Sequence, residues 1–164
     1  MDIKIEPFVK THTKAVVALM NDFRDFLISI DPNGRFRRLP GYGEYALEEE
    51  LANIGNDRGV IYIALDGDRA VGFSVAFLMK DFSEGDLLGV FPAQRGRIEE
   101  LYVVPEYRGK GIASILMQKM EIFLKEKGCD YIFVGVHAFN QNAHELYKHL
   151  GYADVGVDLM KKVK

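Results

Sequence analysis

The chain has one cysteine, no repeat, no proline-rich linker, no strong excess of charge of either sign, and no apolar run approaching the ~20 residues that cross a bilayer. Each absence removes a class of protein. Cys129 cannot close an internal disulfide and has no Cys or His beside it at metal-ligand spacing, so it reads as a buried structural thiol. With 21 Lys plus Arg against 24 Asp plus Glu, a formal net charge of -3, there is no general pull toward nucleic acid or an anionic membrane. Any anion must be bound locally. The opening Met1-Asp2-Ile3-Lys4-Ile5-Glu6 lacks the basic and apolar regions of a signal peptide, which predicts a cytoplasmic protein. What is present is an ordinary globular composition, 48% hydrophobic and 27% charged over 164 residues, the size of a single domain spanning 1–164.

Periodicity divides the chain into elements. Ile3, Ile5 and Phe8 suggest an opening strand; Val16, Leu19, Met20, Phe23, Phe26, Leu27 and Ile30 recur at helical spacing, with Thr11 or Thr13 available as N-cap. Asp31-Pro32-Asn33-Gly34 stops that helix, and an irregular basic and aromatic stretch through Tyr45, read as a lid, precedes a short helix over Ala46–Ile54. Val60–Leu65 and Ala70–Met79 flank Asp66-Gly67-Asp68, a hairpin signal. Lys80–Arg97 is too long for an ordinary connection and is expected to be a substrate-side loop. A strand over Ile98–Val104, a helix over Gly111–Lys127 closed by Gly128, a strand over Tyr131–Val136, a helix carrying Ala143, Leu146, Tyr147 and Leu150, and one or two strands in Tyr152–Val163 complete the order. The order β-α-α-β-β-β-α-β-α-β predicts a mixed α/β (α+β) fold: one mostly antiparallel mixed sheet of about six or seven strands with helices on both faces.

The segment richest in chemistry is Val104-Pro105-Glu106-Tyr107-Arg108-Gly109-Lys110-Gly111-Ile112-Ala113, where a strand ends and a helix begins across a glycine-bearing turn. A helix N-terminus offers unpartnered N–H groups and about half a positive charge, so a phosphate placed there satisfies both. Glycine at 109 and 111 would let the backbone approach phosphate oxygens without a Cβ in the way. No Gly-Lys-Ser/Thr follows in P-loop spacing, and Ser114 breaks the G-x-G-x-x-G pattern.

Arg108-Gly109-Lys110-Gly111-Ile112-Ala113, after the strand Leu101-Tyr102-Val103-Val104-Pro105, resembles the Gln/Arg-x-x-Gly-x-Gly/Ala turn of the GCN5-related N-acetyltransferase (GNAT) family. Asn140-Gln141-Asn142-Ala143-His144-Glu145-Leu146-Tyr147, ending in Leu150-Gly151-Tyr152, is similar to a second motif of that family at the expected distance downstream. The resemblance implies an acetyl-CoA-dependent N-acetyltransferase with acetyl-CoA or CoA as cosubstrate. It implies that the amides of Gly109, Gly111, Ile112 and Ala113 cradle the CoA pyrophosphate, with Arg108 and Lys110 near the phosphates. By the same resemblance the pantetheine arm runs along Leu101, Tyr102 and Val103, where an amide forms an oxyanion hole, and Asn140 contacts that arm.

Acyl transfer to an amine needs a base, because an alkylammonium with an ordinary pKa near ~10.4 is only about 0.1% neutral at pH 7.4. Glu99 and Glu100 adjoin on the strand that should pass the thioester, and strand alternation would send them to opposite faces. The resemblance favours Glu99, with His137 a second candidate. Tyr147 matches the family's proton donor to the departing thiolate, although its helix face with Leu146 and Leu150 equally suits a core aromatic. Tyr102 and Tyr107 read as packing or channel walls. His144 and His149 are poorly spaced for shared ligation, so no metal is expected; Ser74, Ser83, Ser114 and Cys129 lack a nucleophile's setting, which favours direct transfer over an acyl-enzyme.

The acceptor is left open as a small-molecule or peptide amine. Arg35, Arg37 and Arg38 with Phe36 and Tyr42 would suit a carboxylate or close over the acceptor; Asp81, Glu84 and Asp86 would suit a cation. Pairing through terminal strands is common in the family, so the resemblance allows a homodimer. The competing reading is a non-catalytic acyl-CoA-binding or regulatory module of the same fold.

Overall fold

A computed structural model of the chain describes residues 2–55 and 57–163. The elements, in chain order, are β1 (Ile3–Pro7), α1 (Thr13–Ile30), α2 (Tyr42–Ile54), β2 (Gly59–Asp66), β3 (Arg69–Leu78), β4 (Arg95–Val103), α3 (Ile112–Glu126), β5 (Tyr131–Val134) and α4 (Gln141–His149). The strands form one sheet in the order β1-β2-β3-β4-β5. Every pairing is antiparallel except β4 with β5, which is parallel. This is the predicted mixed sheet, with five strands among the described residues rather than about six or seven.

Alternation along the strands sorts side chains to two helical layers. Ile61, Ile63, Phe73 and Val75 face Val16, Leu19 and Met20 of α1 and Leu47 of α2. Ala76 and Ile98 face Met117, Met120 and Leu124 of α3 and Tyr147 of α4. Each fully buried aliphatic or aromatic side chain contributes about 1.5–3 kcal/mol relative to exposure. No helix of the described residues is long and apolar enough to cross a membrane.

Local chemistry explains where boundaries depart from the periodicity. Neither threonine caps α1: His12 is the N-cap, and Thr13 donates its hydroxyl to the Lys10 carbonyl at 2.8 Å, bracing a 3-10 turn at Lys10–His12. α2 starts a turn before Ala46 because Gly43 packs against α1, where a Cβ would stand 2.6 Å from the Val17 carbonyl oxygen. The Asp-Gly hairpin forms as expected, with Gly67 at φ +59 and Asp66 paired with Arg69.

Two larger expectations are revised. The loop expected over Lys80–Arg97 ends at Gln94, because β4 begins at Arg95, and Lys80–Gln94 contributes no residue to the cavity described below: Arg95 stacks over the Phe82 ring at 3.5 Å and the Gln94 amide donates to Asp130 Oδ2 at 2.8 Å. Tyr152–Val163 carries no strand; its apolar alternation is present, yet Val155, Val157 and Leu159 are 82%, 77% and 94% exposed, with no neighbouring strand to pair them.

Gly72 sets the separation of β3 and β4, since a Cβ there would lie 2.7 Å from the Tyr102 carbonyl oxygen. Gly72→Ala is therefore expected to lower stability by about 1–3 kcal/mol, read as a lower urea midpoint at unchanged slope. Gly156→Ala, where nothing lies within 4 Å, should stay within about 0.5 kcal/mol of the parent.

Candidate active site

The parallel ladder between β4 and β5 runs from Arg95 opposite Tyr131 to Ile98 opposite Val134 and then ends. β4 continues to Val103 while the other chain turns away through Gly135, Val136 and His137. From Glu99 onward that edge of β4 has no strand beside it, and backbone groups in such a position require some other partner. A cavity of about 850 Å³ opens in the gap, walled by Glu99–Val103 on one side and by Gly135–His137 on the other.

A register shift reshapes the same strand. Val75 pairs with Glu100 but Ala76 with Ile98, leaving Glu99 as the extra residue of a bulge. Alternation fails there. Glu99 and Glu100, expected on opposite faces, line one cavity together.

The glycine turn closes one end of that cavity. Gly109 and Gly111 lie at φ +71 and +79, a region that disfavours any side chain, and a Cβ on either would meet nothing within 4 Å. Backbone conformation, not crowding within the protein, thus requires glycine at these positions. Gly111 caps the 15-residue α3, and the opening amides at Ile112 and Ala113 stand at the cavity wall with unpartnered first-turn geometry. Arg108 also lines it, but its Nε donates to the Val103 carbonyl at 2.9 Å and its guanidinium lies 4.3 Å over the Phe26 ring. Lys110 is the one predicted site residue outside the cavity wall: its Nζ donates to the Glu106 carbonyl at 2.8 Å and sits above Tyr107.

At the centre the carboxylates are unequal. Glu99 is ion-paired with Arg97. Glu100 carries no such partner; burial, reinforced by the charges of Glu50 and Glu99 and opposed by Arg24, pushes it up to about 8. Glu50, on α2 and outside the cavity wall, accepts a hydrogen bond from Asn53 Nδ2 at 3.4 Å and is pushed up to about 7 chiefly by burial. Tyr147 is 7% exposed, as its core-like spacing predicts, yet it also forms part of the cavity wall. Burial, and then the Glu100 charge, raise its hydroxyl to about 12. Asn140 is the N-cap residue of α4 and lines the cavity, with its side chain free of capping duty.

The remaining residues sort as follows. His137 faces the cavity, stacked on Phe139 with ring centroids 5.1 Å apart, and burial together with Arg35 and Arg24 lowers its pKa. Tyr102 packs on Phe23 at 5.4 Å and the Tyr107 hydroxyl donates to Asp66 at 2.8 Å, as channel walls. Cys129 is half-buried rather than buried, with burial raising its thiol pKa. Periodicity gave no hint of Arg24 in the wall, whereas Phe36 was legible in the basic and aromatic stretch after α1 and Asn142 lies within the downstream motif. Phe23 and Phe26 were legible only as helix-face residues, whereas the width of that aromatic face was the available signal.

Comparison with known proteins places this geometry among relatives. The family model described as the acetyltransferase (GNAT) family matches residues 17–152. A thialysine N-epsilon-acetyltransferase from Bos taurus is 41% identical over 58 residues, 35% of this chain and 34% of the relative. Streptothricin acetyltransferase from Streptomyces lavendulae is 34% identical over 82 residues, 46% of this chain and 43% of that protein. The chain thus spans less than half the length of these curated relatives. A Bacillus halodurans protein, BH1408, superposes with TM-score 0.83 at 17% identity, covering 98% of this chain and 99% of the other. The aminoglycoside N-acetyltransferase AAC(6′)-Iy, solved with CoA, superposes with TM-score 0.72 at 18% identity over 98% and 94% of the two chains. At these identities the likeness is one of fold.

The raised carboxyls make stability pH-dependent. Glu100 and Glu50 hold protons in the native state up to about 8 and about 7, against an ordinary carboxyl value of 4.5 for each. Between these values the folded chain binds more protons than the unfolded one, so stability falls as pH rises. Glu100→Gln should flatten that decline and stabilise the protein at pH 9 by about 1–2 kcal/mol, less than full linkage because the side chain faces the cavity. Urea midpoints from pH 5 to pH 9 check this; parallel profiles for variant and parent would contradict it.

Proposed function

The chain belongs to the acetyltransferase (GNAT) family, and from that premise we propose that it transfers an acetyl group from acetyl-CoA directly to the primary amine of a small molecule. The observation that carries the reading is the convergence on one cavity of an unpaired β4 edge, a two-glycine turn at the start of α3, a raised carboxyl and a buried tyrosine. Names of relatives that acetylate thialysine, streptothricin or aminoglycosides support a small amine as acceptor.

The donor's diphosphate is assigned to the amides of Gly109, Gly111, Ile112 and Ala113, where left-handed glycines leave open space and the α3 dipole favours an anion. Arg108 adds charge nearby, whereas Lys110 serves the turn itself. The β4 backbone at Leu101–Val103 receives the pantetheine arm as a strand would, and one of its N–H groups stabilises the oxyanion. Asn140 completes that channel.

Glu100 is the better base than Glu99, because Glu99 is committed to Arg97 and a carboxylate near pKa 8 is matched to neutral pH. Glu100 takes the first proton from the bound ammonium and passes it to solvent through the cavity mouth. The freed nitrogen lone pair forms the C–N bond, and the tetrahedral oxyanion collapses with cleavage of C–S. The second proton leaves nitrogen and ends on sulfur. Tyr147, near pKa 12, stays protonated at neutral pH; it donates to the departing thiolate and is reprotonated from that nitrogen. The depressed basicity of His137 makes it the weaker base.

Calorimetric titration with acetyl-CoA, followed by thiol release against amines, tests the reading. Saturable binding with amine-dependent release is expected; binding without release would favour an acyl-CoA-binding module. Gly111→Trp should abolish acetyl-CoA binding. Tyr147→Phe should leave that affinity within about twofold and lower kcat by about 10-fold or more. Full kcat in the phenylalanine variant with chemistry rate-limiting would remove Tyr147 from the mechanism.

A further inference from the structure

The acceptor end of the cavity has two poles. Glu100 is the acidic one, a carboxyl without an ion pair, since Glu99 is already paired with Arg97. The positive pole is Arg24, projecting from α1 into the cavity wall beside Phe36 and His137. Its guanidinium is fixed by stacking, 4.5 Å over the Tyr42 ring and 5.2 Å from the Phe36 centroid, and by one hydrogen bond from Nη2 to the Tyr42 hydroxyl at 2.6 Å.

That restraint leaves donors unused. Arg24 Nη1 makes no hydrogen bond among the described residues and the side chain forms no ion pair there, although Glu100 is close enough to feel its charge; Nε is buried out of reach. A guanidinium presents five N–H donors in a planar fork suited to a carboxylate. Arg35, its guanidinium 5.2 Å from the Phe36 ring centroid, adds positive charge near the same corner. A simple diamine would leave Arg24 unanswered and bring a second cation beside it; a simple carboxylate would bring no ammonium proton for Glu100 to take. Phe36 and His137, in contact at 5.1 Å between ring centroids, add aromatic wall beside Arg24.

We propose that the acceptor is an amino-acid-like molecule, whose carboxylate is received by Arg24 while its reacting amine is presented to Glu100. This deepens the acetyl-transfer reading and rests on it. Arg24 is then a specificity-determining residue that touches substrate.

The test compares molecules that differ at the carboxylate. With CoA saturating, the full chain is titrated calorimetrically with lysine and ornithine, with their carboxamides, and with cadaverine and putrescine. At least one carboxylated amine is expected to bind about tenfold or more tighter than its amide and its decarboxylated form. Arg24→Met should shrink that preference to about twofold, and Arg24→Lys should restore part of it. Wild-type CoA affinity in each variant checks its folding, and the wild-type comparison stands if a variant does not fold. Equal binding of the amide, failure of every carboxylated amine to bind, or equal weakening of all ligands by Arg24→Met would overturn the proposal. The last result would mean that Arg24 serves only Glu100. Thiol release from acetyl-CoA in the same preparations reads the transfer separately: preference without release leaves the binding assignment standing and removes the catalytic one.

Discussion

The pairing of β4 with β5 from Arg95 to Ile98, and its end there, governs the arrangement of everything around it. Were the ladder to continue to Val103, the sheet would close and the backbone of Glu99–Val103 would be satisfied by another strand. Because it stops, a main-chain edge is left facing a cavity. The α3 N-terminus and the α4 tyrosine are the elements that flank the connections on either side of that gap. A bulge at Glu99 in the same strand then turns two adjacent carboxylates toward the opening.

Those carboxylates illustrate how position divides labour between identical side chains. Glu99 keeps an arginine beside it; Glu100, one residue on, loses water without gaining an ion pair and holds its proton to about 8. Glu50 belongs to the same electrostatic unit although it comes from α2. The cost of such an unpaired buried acid falls on folding, and the benefit is a group poised to exchange protons at neutral pH.

Much of this was legible in the sequence, for identifiable reasons. Asp66-Gly67-Asp68 needs a left-handed residue in a tight hairpin, and Gly109 and Gly111 mark a turn no other residue adopts easily, so local chemistry and tertiary structure agree. Residues Glu99 through Val103, the glycine turn, Asn140 and Tyr147 do meet in one cavity, with Lys110 outside it. What could not be read were features that exist only between elements. The bulge depends on how β3 and β4 register, Gly43 on the approach of α2 to α1, and Arg24 on where α1 crosses the gap. The alternation in Tyr152–Val163 was real but has no neighbouring strand to realise it, and the polar loop after β3 sits at the far end of β4 from the cavity.

The gap between β4 and β5 offers its hydrogen-bonding groups from the main chain, and main-chain groups are the same whatever residue carries them. Apart from its two left-handed glycines, this half of the site is therefore nearly blind to mutation, so a lineage can replace most of its residues and keep it. The superpositions at 17% and 18% identity show the fold kept while most side chains differ. The other half is written in side chains such as Arg24 and Phe36, and there a single substitution changes the chemistry that the cavity presents.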